Sequence, residues 1–262
     1  MNNLPIGILD SGLGGLSVWK EIDKLMPNES VIYFADSGNC PYGSKSEEEI
    51  IEYTDNITQF LINKQCKLIV VACNTATSIA IEHLRQKFDV PFVGIEPAIK
   101  PAAINSKTGV IGVLATSGTL KSKMFNQTKE RFSGNIKVVL DEGNELVNIV
   151  ENNLQGTQES LEILRKHIEP LMKENVDHLV LGCTHFPFLI NDIKKITGNS
   201  VYLENPAPAV ANRTKYILNE NNIISENNGN TTTFYSTGNI NILKNMVENI
   251  KGIEPNMTFY QL

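Results

Sequence analysis

Two short apolar runs in this chain each end in a cysteine. Residues 68–72 (Leu-Ile-Val-Val-Ala) precede Cys73, and residues 178–182 (His-Leu-Val-Leu-Gly) precede Cys183. Short apolar runs between turn residues are typical of fully buried strands in a parallel sheet. The pattern extends upstream, because Ser11 lies 62 positions before Cys73 and Ser117 lies 66 positions before Cys183, each at the end of a similar run. This internal repeat predicts two pseudo-equivalent α/β units.

Short apolar runs alternate with longer segments of helical period, and this alternation predicts an α/β fold with helices flanking mainly parallel sheets. Strands are predicted at 5–9, 31–35, 67–72, 91–95, 109–114, 136–140, 177–182, 200–203 and 232–235, and helices at 13–26, 47–63, 76–88, 119–132, 143–153, 157–174, 187–196, 207–219 and 240–250.

Proline-containing breaks near 94–97 and 205–208 predict where the chain crosses between the two units. The first domain is then discontinuous, with residues 1–97 plus 207–262, and residues 98–206 form the second. We expect the active site in the cleft between these pseudo-symmetric domains, because domain interfaces are favoured ligand sites.

Composition and charge narrow the range of partners. The 262 residues are 41% hydrophobic and carry a net charge of −6, without a Lys/Arg stripe, which disfavours nucleic acid as the main ligand. The N-terminal residues lack a basic region before an apolar run, so neither a signal peptide nor a membrane span is predicted. Four widely and irregularly spaced cysteines do not suggest a disulfide framework. We therefore expect a cytoplasmic protein.

Residues directly after the predicted strands are the candidates for chemistry, because ligands of parallel α/β sheets bind beyond the carboxyl ends of the strands. These residues are Asp10, Ser11, Cys73, Asn74, Thr75, Thr116, Cys183, Thr184 and His185. A single buried cysteine is usually a small hydrophobic core residue. Two cysteines in matching positions, each followed by polar side chains that a core would not use, favour a pair of thiols facing one pocket.

Each of the two thiols has a polar side chain nearby. Asp10 lies beside Cys73 if their strands are neighbours, and His185 follows Cys183 by two positions, which returns to the same side of an extended chain. A thiol near its solution pKa can hold or release a proton, and a neighbouring acid or imidazole adjusts which it does. The arrangement suits proton transfer at two faces of one carbon. We expect the two sulfurs on the order of 7 to 8 Å apart, with the carbon between them.

Three other functions use parts of the same pattern. Residues 10–15 (Asp-Ser-Gly-Leu-Gly-Gly) resemble a phosphate or dinucleotide turn, but their glycine spacing differs from G-x-G-x-x-G. Cys73, Cys183 and His185 are zinc-ligand types, although they lack the usual ligand spacings. A Cys-His hydrolase needs one nucleophile and leaves the second cysteine unexplained.

Several motifs together resemble the glutamate racemase family, within the cofactor-independent aspartate/glutamate racemases. They are residues 10–15 (DSGLGG), Asp36, 41–43 (PYG), 73–76 (CNTA), 94–98 (GIEPA), Thr116 with Thr119, and 182–187 (GCTHFP). The resemblance covers nearly the whole chain in the same order. It implies interconversion of L- and D-glutamate, which supplies D-glutamate for peptidoglycan, without a cofactor or metal.

The resemblance also implies roles for individual residues. Cys73 corresponds to the thiol acting on the D-enantiomer, with Asp10 as its partner, and Cys183 to the thiol acting on the L-enantiomer, with His185 and Glu151 as its partners. The implied substrate-binding residues are Asp10, Ser11, Tyr42, Gly43, Asn74, Thr75, Thr116, Thr119, Thr184 and His185. A homodimer is one expected assembly.

Two alternatives and several other residues remain to be considered. An aspartate racemase or a non-catalytic amino-acid binding protein would use the same fold. Cys40 precedes the Pro-Tyr-Gly motif and is expected at the mouth of the pocket without reacting. Structural or surface roles are expected for Cys66, His83, His167 and His178.

Overall fold

The computed structural model describes residues 2–225 and 230–262, and its ten described strands form two separate, wholly parallel sheets. The strands are β1 (Ile6–Asp10), β2 (Val31–Ala35), β3 (Leu68–Val71), β4 (Phe92–Gly94), β5 (Val110–Ala115), β6 (Lys137–Glu142), β7 (His178–Gly182), β8 (Tyr202–Glu204), β9 (Thr232–Ser236) and β10 (Met257–Gln261). The first sheet has the order β10-β9-β2-β1-β3-β4, and the second has the order β6-β5-β7-β8.

The strand order confirms the internal repeat. In the first sheet β1 pairs with β2 on one side and with β3 on the other, and in the second sheet β5 pairs in the same way with β6 and β7. Strand β4 pairs with the other edge of β3, just as β8 pairs with the other edge of β7. Cys73 and Cys183 therefore follow topologically equivalent strands, β3 and β7.

Helices cover both sheets. They are α1 (Leu16–Leu25), α2 (Glu47–Asn63), α3 (Asn74–Lys87), α4 (Ile99–Asn105), α5 (Ser117–Lys121), α6 (Lys123–Ser133), α7 (Asn144–Glu151), α8 (Gln158–Lys173), α9 (Ile190–Thr197), α10 (Ala207–Glu220) and α11 (Ile240–Lys251), with short 3-10 turns at Tyr42–Ser44 and Phe186–Leu189. Helix α2 begins at a capping box, in which the Ser46 side chain accepts from the Glu49 amide and the Glu49 carboxylate accepts from the Ser46 amide.

Buried apolar side chains from the two halves of the molecule pack against each other. The central strands β1, β3 and β7 are buried almost throughout, as expected for strands covered on both faces. One continuous cluster of buried side chains includes Trp19 of α1 beside the first sheet and Phe186 after β7 of the second. Helix α10, which leads back from the second sheet, packs against α1. The ends of the strands in both sheets are thereby held near each other.

The structure adds elements that the sequence pattern missed. Strand β10 lies at the edge of the first sheet with only Met257 buried, so it lacks an apolar run. Helix α4 was obscured by Pro101 in its first turn, a position where proline is tolerated. The predicted helix at 119–132 is two helices, because Ser122 is extended and caps α6. Among the described residues, no helix is both long and apolar enough to cross a membrane.

Candidate active site

Cys73 lies at the N-terminus of α3, directly beyond the end of β3. Its sulfur accepts a hydrogen bond from the Ala76 amide at 3.4 Å, and its thiol donates to Ser11 Oγ at 3.6 Å. Only 5% of the residue is exposed. Burial and the negative charge of Asp10 raise the pKa of the Cys73 thiol to about 12, although the Ala76 amide opposes the rise. Cys73 is therefore a thiol rather than a thiolate near neutral pH.

Asp10 ends β1 and connects the two sides of the site. Its strand is the neighbour of β3, which meets the condition under which the sequence places Asp10 beside Cys73. Its carboxylate accepts from the Gly12 amide at 2.9 Å and from the Thr184 hydroxyl at 3.1 Å, so it contacts the residue next to Cys183. Burial raises its pKa, although the positive charge of His185 and amide hydrogen bonds lower it again. The negative charge of Asp10 in turn contributes to the raised pKa of Cys73.

A chain of three side chains leads away from Cys183. Its sulfur lies 3.6 Å from His185 Nδ1, and the opposite ring nitrogen, Nε2, lies 2.6 Å from Glu151 Oε1. Glu151 is the last residue of α7, and the same carboxylate accepts from the Leu13 amide of the other half at 2.6 Å. The carboxylate thus orients the imidazole against the thiol.

The charge of His185 distinguishes the surroundings of Cys183 from those of Cys73. Burial opposes protonation of the ring, but hydrogen bonds with Cys183, Cys40 and Glu151 outweigh it and raise the His185 pKa well above its ordinary value. A buried imidazolium therefore lies beside Cys183. The side of the site that holds Cys183 therefore carries a positive charge, whereas Asp10 contributes a negative charge on the side of Cys73.

Three threonine hydroxyls meet where the two halves join. Thr75, after β3, lies 2.8 Å from the Thr116 hydroxyl and 3.2 Å from that of Thr119, and the latter two lie 3.0 Å apart. All three residues are almost completely buried. These hydroxyls form a neutral polar patch that can donate to an anionic group.

Asn74 is the most informative of the polar side chains. The residue is 2% exposed, and neither its amide nitrogen nor its amide oxygen has a hydrogen-bond partner within the described protein. Buried polar groups are nearly always paired, because an unpaired one costs about 1 to 3 kcal/mol. An amide offering both donors and an acceptor beside Cys73 is suited to a zwitterionic ligand.

The loop that carries Tyr42 and Gly43 is held against this patch. The Tyr42 hydroxyl donates to Asp36 at 2.6 Å, and its ring packs on Tyr53. A Cβ added at Gly43 would lie 2.7 Å from Thr116 Cβ, so only glycine allows this approach. The backbone at Gly43 therefore lies beside the hydroxyl cluster.

The glycine-rich turn at residues 10–15 has a structural explanation that does not require a nucleotide. A Cβ at Gly12 would overlap the Glu151 carboxylate, and a Cβ at Gly14 would overlap the His185 ring. The glycines thus allow the first half of the chain to pack directly on His185, which contacts Cys183, and on Glu151, which contacts His185. This packing accounts for the departure from the dinucleotide spacing.

Comparison with known proteins identifies the family. The sequence model of the Asp/Glu/hydantoin racemases matches residues 6–212. A glutamate racemase of Herpetosiphon aurantiacus is 43% identical over 218 residues, which cover 83% of this chain and 86% of that protein. The chain belongs to the glutamate racemase family.

Solved structures of this family share the whole fold. Glutamate racemase isoform RacE1 from Bacillus anthracis superimposes with a TM-score of 0.90 at 33% identity, covering 100% of this chain and 98% of that one. The Escherichia coli glutamate racemase, solved with L-glutamate and the activator UDP-MurNAc-Ala, gives a TM-score of 0.87 at 33% identity and covers 98% of both chains. The predicted two-domain α/β fold is confirmed.

The structure places further side chains beside the predicted residues. Cys40 contacts His185, the Ser17 hydroxyl donates to the Thr184 carbonyl at 3.0 Å, and the Tyr33 hydroxyl donates to the Gly12 carbonyl at 2.8 Å. Only the position of Cys40 before the Pro-Tyr-Gly motif gave a signal in the sequence.

The other cysteine and histidines lie away from the site. Cys66 is a buried free thiol packed among apolar side chains. His83, His167 and His178 contact the carboxylates of Asp55, Asp141 and Glu204 respectively. These contacts are compatible with the structural roles expected from the sequence.

Proposed function

We propose that Cys73 and Cys183 are the two acid–base groups of a glutamate racemase that inverts Cα by moving one proton on each face. The observation that carries the proposal is the placement of two buried thiols at equivalent strand ends, with unlike charges beside them. The reaction is the interconversion of L- and D-glutamate, and in the family it supplies D-glutamate for peptidoglycan.

Each turnover removes one proton from Cα and adds one proton to its opposite face. With L-glutamate, the Cys183 thiolate removes the Cα proton and becomes a thiol, which leaves a planar carbanion. The Cys73 thiol donates its proton to the opposite face and becomes a thiolate, giving D-glutamate. The reverse reaction exchanges the two roles. The raised pKa of Cys73 favours the thiol from which the L-to-D direction starts.

We further propose that the polar groups around the thiols hold the substrate. The unpaired amide of Asn74, beside the Ser11 hydroxyl, would bind the charged groups at Cα. The Thr75, Thr116 and Thr119 cluster would provide further donors to carboxylates. The Thr184 hydroxyl, which now donates to Asp10, would exchange that bond for one to the substrate. Neutral donors are suited to this task, because an added fixed charge near either sulfur would favour one thiolate over the other.

Polarimetry on pure enantiomers tests the substrate and the reaction. D-Glutamate should lose its optical rotation without added cofactor, whereas D-aspartate should not. Preference for D-aspartate would indicate an aspartate racemase. A constant rotation with both substrates would indicate an amino-acid binding protein.

Cofactor independence has its own test. We expect full activity after exhaustive dialysis against a chelator and treatment with a carbonyl reagent, because thiols alone provide the acid and the base. Activity that is lost and then restored by a metal or by pyridoxal phosphate would contradict the mechanism.

The domain boundaries are also a proposal. We divide the chain into residues 1–97 plus 207–262 and residues 98–206, since β9 and β10 join the first sheet. The homodimer and the cytoplasmic location stay predictions.

A further inference from the structure

Cys40, Glu151 and His185 form a compact group of metal-binding side chains outside the pair of reacting thiols. One ligand atom from each residue lies within 4.8 Å of the other two. Thiolate, imidazole and carboxylate are the ligand types that zinc prefers, and three protein ligands with one open position are typical of accessible zinc sites. We propose that these three residues bind Zn²⁺ and that the bound ion inhibits the racemase reversibly.

The required rearrangement is small. Zinc lies about 2.1 Å from nitrogen and oxygen ligands and about 2.3 Å from sulfur. In tetrahedral geometry the nitrogen and oxygen are then roughly 3.4 Å apart, and either one is roughly 3.6 Å from the sulfur. His185 Nε2 and Glu151 Oε1, now 2.6 Å apart, must separate by less than an ångström. A shift of the Glu151 carboxylate, which would exchange its bond with the Leu13 amide, would provide this change. The Cys40 sulfur, within 4.8 Å of the other two ligand atoms, must approach them to roughly 3.6 Å.

Zinc binding must release protons, because a metal needs a thiolate and a neutral imidazole nitrogen. Cys40 must lose its thiol proton, and His185 Nε2, which lies 2.6 Å from Glu151 Oε1, must lose its proton to offer a lone pair. Both protons pass to solvent as the metal–ligand bonds form. Zinc affinity should therefore rise with pH. Because the ion replaces hydrogen-bonded protons, the site needs no change in the fold.

Inhibition follows from the positions of the ligands. Cys40 belongs to the loop after β2 of the first sheet, whereas Glu151 and His185 belong to the half built on the second sheet. One ion would cross-link the two halves directly over the site. Cys73 and Cys183 are only 5% and 7% exposed, so substrate needs these halves to part. Metal binding is independent of the proposed reaction, whereas inhibition rests on it.

Cobalt spectroscopy tests the site without relying on activity. Chelator-treated enzyme is titrated with Co²⁺, and the near-ultraviolet thiolate-to-cobalt charge-transfer band is followed, with Zn²⁺ as competitor. The band should appear in the wild type and in Cys66→Ala, a matched loss of a buried thiol away from the group. It should disappear in Cys40→Ala. Circular dichroism verifies that each variant is folded, and Cys40→Ser provides a more conservative second variant.

Inhibition is measured in parallel as racemisation against free zinc concentration, each variant relative to its own metal-free rate. Cys40→Ala should raise the inhibitory concentration roughly tenfold or more, and a chelator should reverse inhibition of the wild type. No band in the wild type, or a band that persists in Cys40→Ala, would overturn the proposal, since a persisting band assigns the ligand to another thiol. A band without racemase activity would leave the metal site intact and contradict the proposed function.

Discussion

The surroundings of the two thiols differ more than their topology does. Cys73 lies next to a carboxylate and uncharged donors, and its pKa is raised to about 12. Cys183 lies beside an imidazolium held by Glu151. The repeated fold supplies two equivalent positions, and the side chains around them place a carboxylate beside one thiol and an imidazolium beside the other. The comparison teaches that symmetry of the backbone does not require symmetry of charge.

This asymmetry has a thermodynamic limit. The two enantiomers of glutamate have equal free energies in water, so kcat/KM must be the same in both directions for every variant. A variant that affects one thiol alone therefore cannot slow only one direction of kcat/KM. Its signature lies in partial reactions that need a single base, and in how activity changes with pH.

The largest expected effect comes from replacing either sulfur. Cys73→Ser and Cys183→Ser should each reduce racemisation by about 10²- to 10⁴-fold, because a serine hydroxyl is a much poorer base at neutral pH. Elimination from a β-substituted glutamate needs one base, so Cys73→Ser should retain it with the L-form and Cys183→Ser with the D-form. The elimination rate of each variant is measured with both enantiomers of the analogue. Retention of the same enantiomer by both variants would replace the two-base mechanism with a one-base mechanism.

His185→Gln should have the next largest effect. It removes the positive charge beside Cys183 but keeps a side chain able to form hydrogen bonds. We expect racemisation to fall roughly a hundredfold. Elimination from the L-analogue should fall by more than elimination from the D-analogue, since Cys73 has no contact with the imidazole. Equal losses with the two analogues would remove the distinction between the thiols.

Glu151→Gln should have a smaller effect with a clear pH signature. It keeps an acceptor for the Leu13 amide but removes the negative charge that raises the His185 pKa. The imidazolium is then lost at lower pH, so the alkaline decline of kcat/KM should begin at lower pH, with a loss of about tenfold on that limb. An unchanged pH profile would assign Glu151 a purely structural role.

Thermal unfolding of the same variant gives an independent check. The folded pKa of His185 lies above its ordinary value of 6.5, so its contribution to stability is complete below pH 6.5. It is lost as the pH rises through the higher folded value. The Tm of the wild type should thus fall on the alkaline side, and this fall should be smaller in Glu151→Gln.

Asp10→Asn gives the smallest expected effect and concerns the other thiol. The carboxylate contributes to the raised pKa of Cys73, second to burial, so its removal should lower that pKa. Alkylation of Cys73 by iodoacetamide should become several-fold faster at a fixed pH. Cys66 is an internal reference, because burial alone raises its pKa. Mass spectrometry compares the two rates, and an unchanged ratio would contradict the role of Asp10.

Much of the fold could be predicted from sequence because buried parallel strands are continuous apolar runs. Strands β3 and β7 were found in this way, and the rule that ligands lie at strand ends then selected Cys73 and Cys183. Strand β10 was missed because it is an edge strand with one buried residue, which leaves no such run.

Contacts between the two halves were harder to predict. The bond from Thr184 to Asp10 joins residues 174 positions apart, and no local pattern specifies it. The role of Glu151 was predicted from the family resemblance alone. In sequence, a carboxylate at an exposed helix end cannot be distinguished from one that contacts an imidazole. Cys40 reaches His185 only after the loop beyond β2 folds over the site.

The burial of both sulfurs has a consequence for hydrogen isotopes. Cys73 and Cys183 are only 5% and 7% exposed as residues, so their thiols have little contact with water during one turnover. In heavy water, D-glutamate should therefore give L-glutamate that carries deuterium at Cα, delivered by a Cys183 thiol loaded before the substrate bound. The D-glutamate that remains should keep its original hydrogen, because a proton taken up by Cys73 returns to the same carbon before solvent can replace it. Hydrogen from water would then mark the product and leave the substrate unmarked.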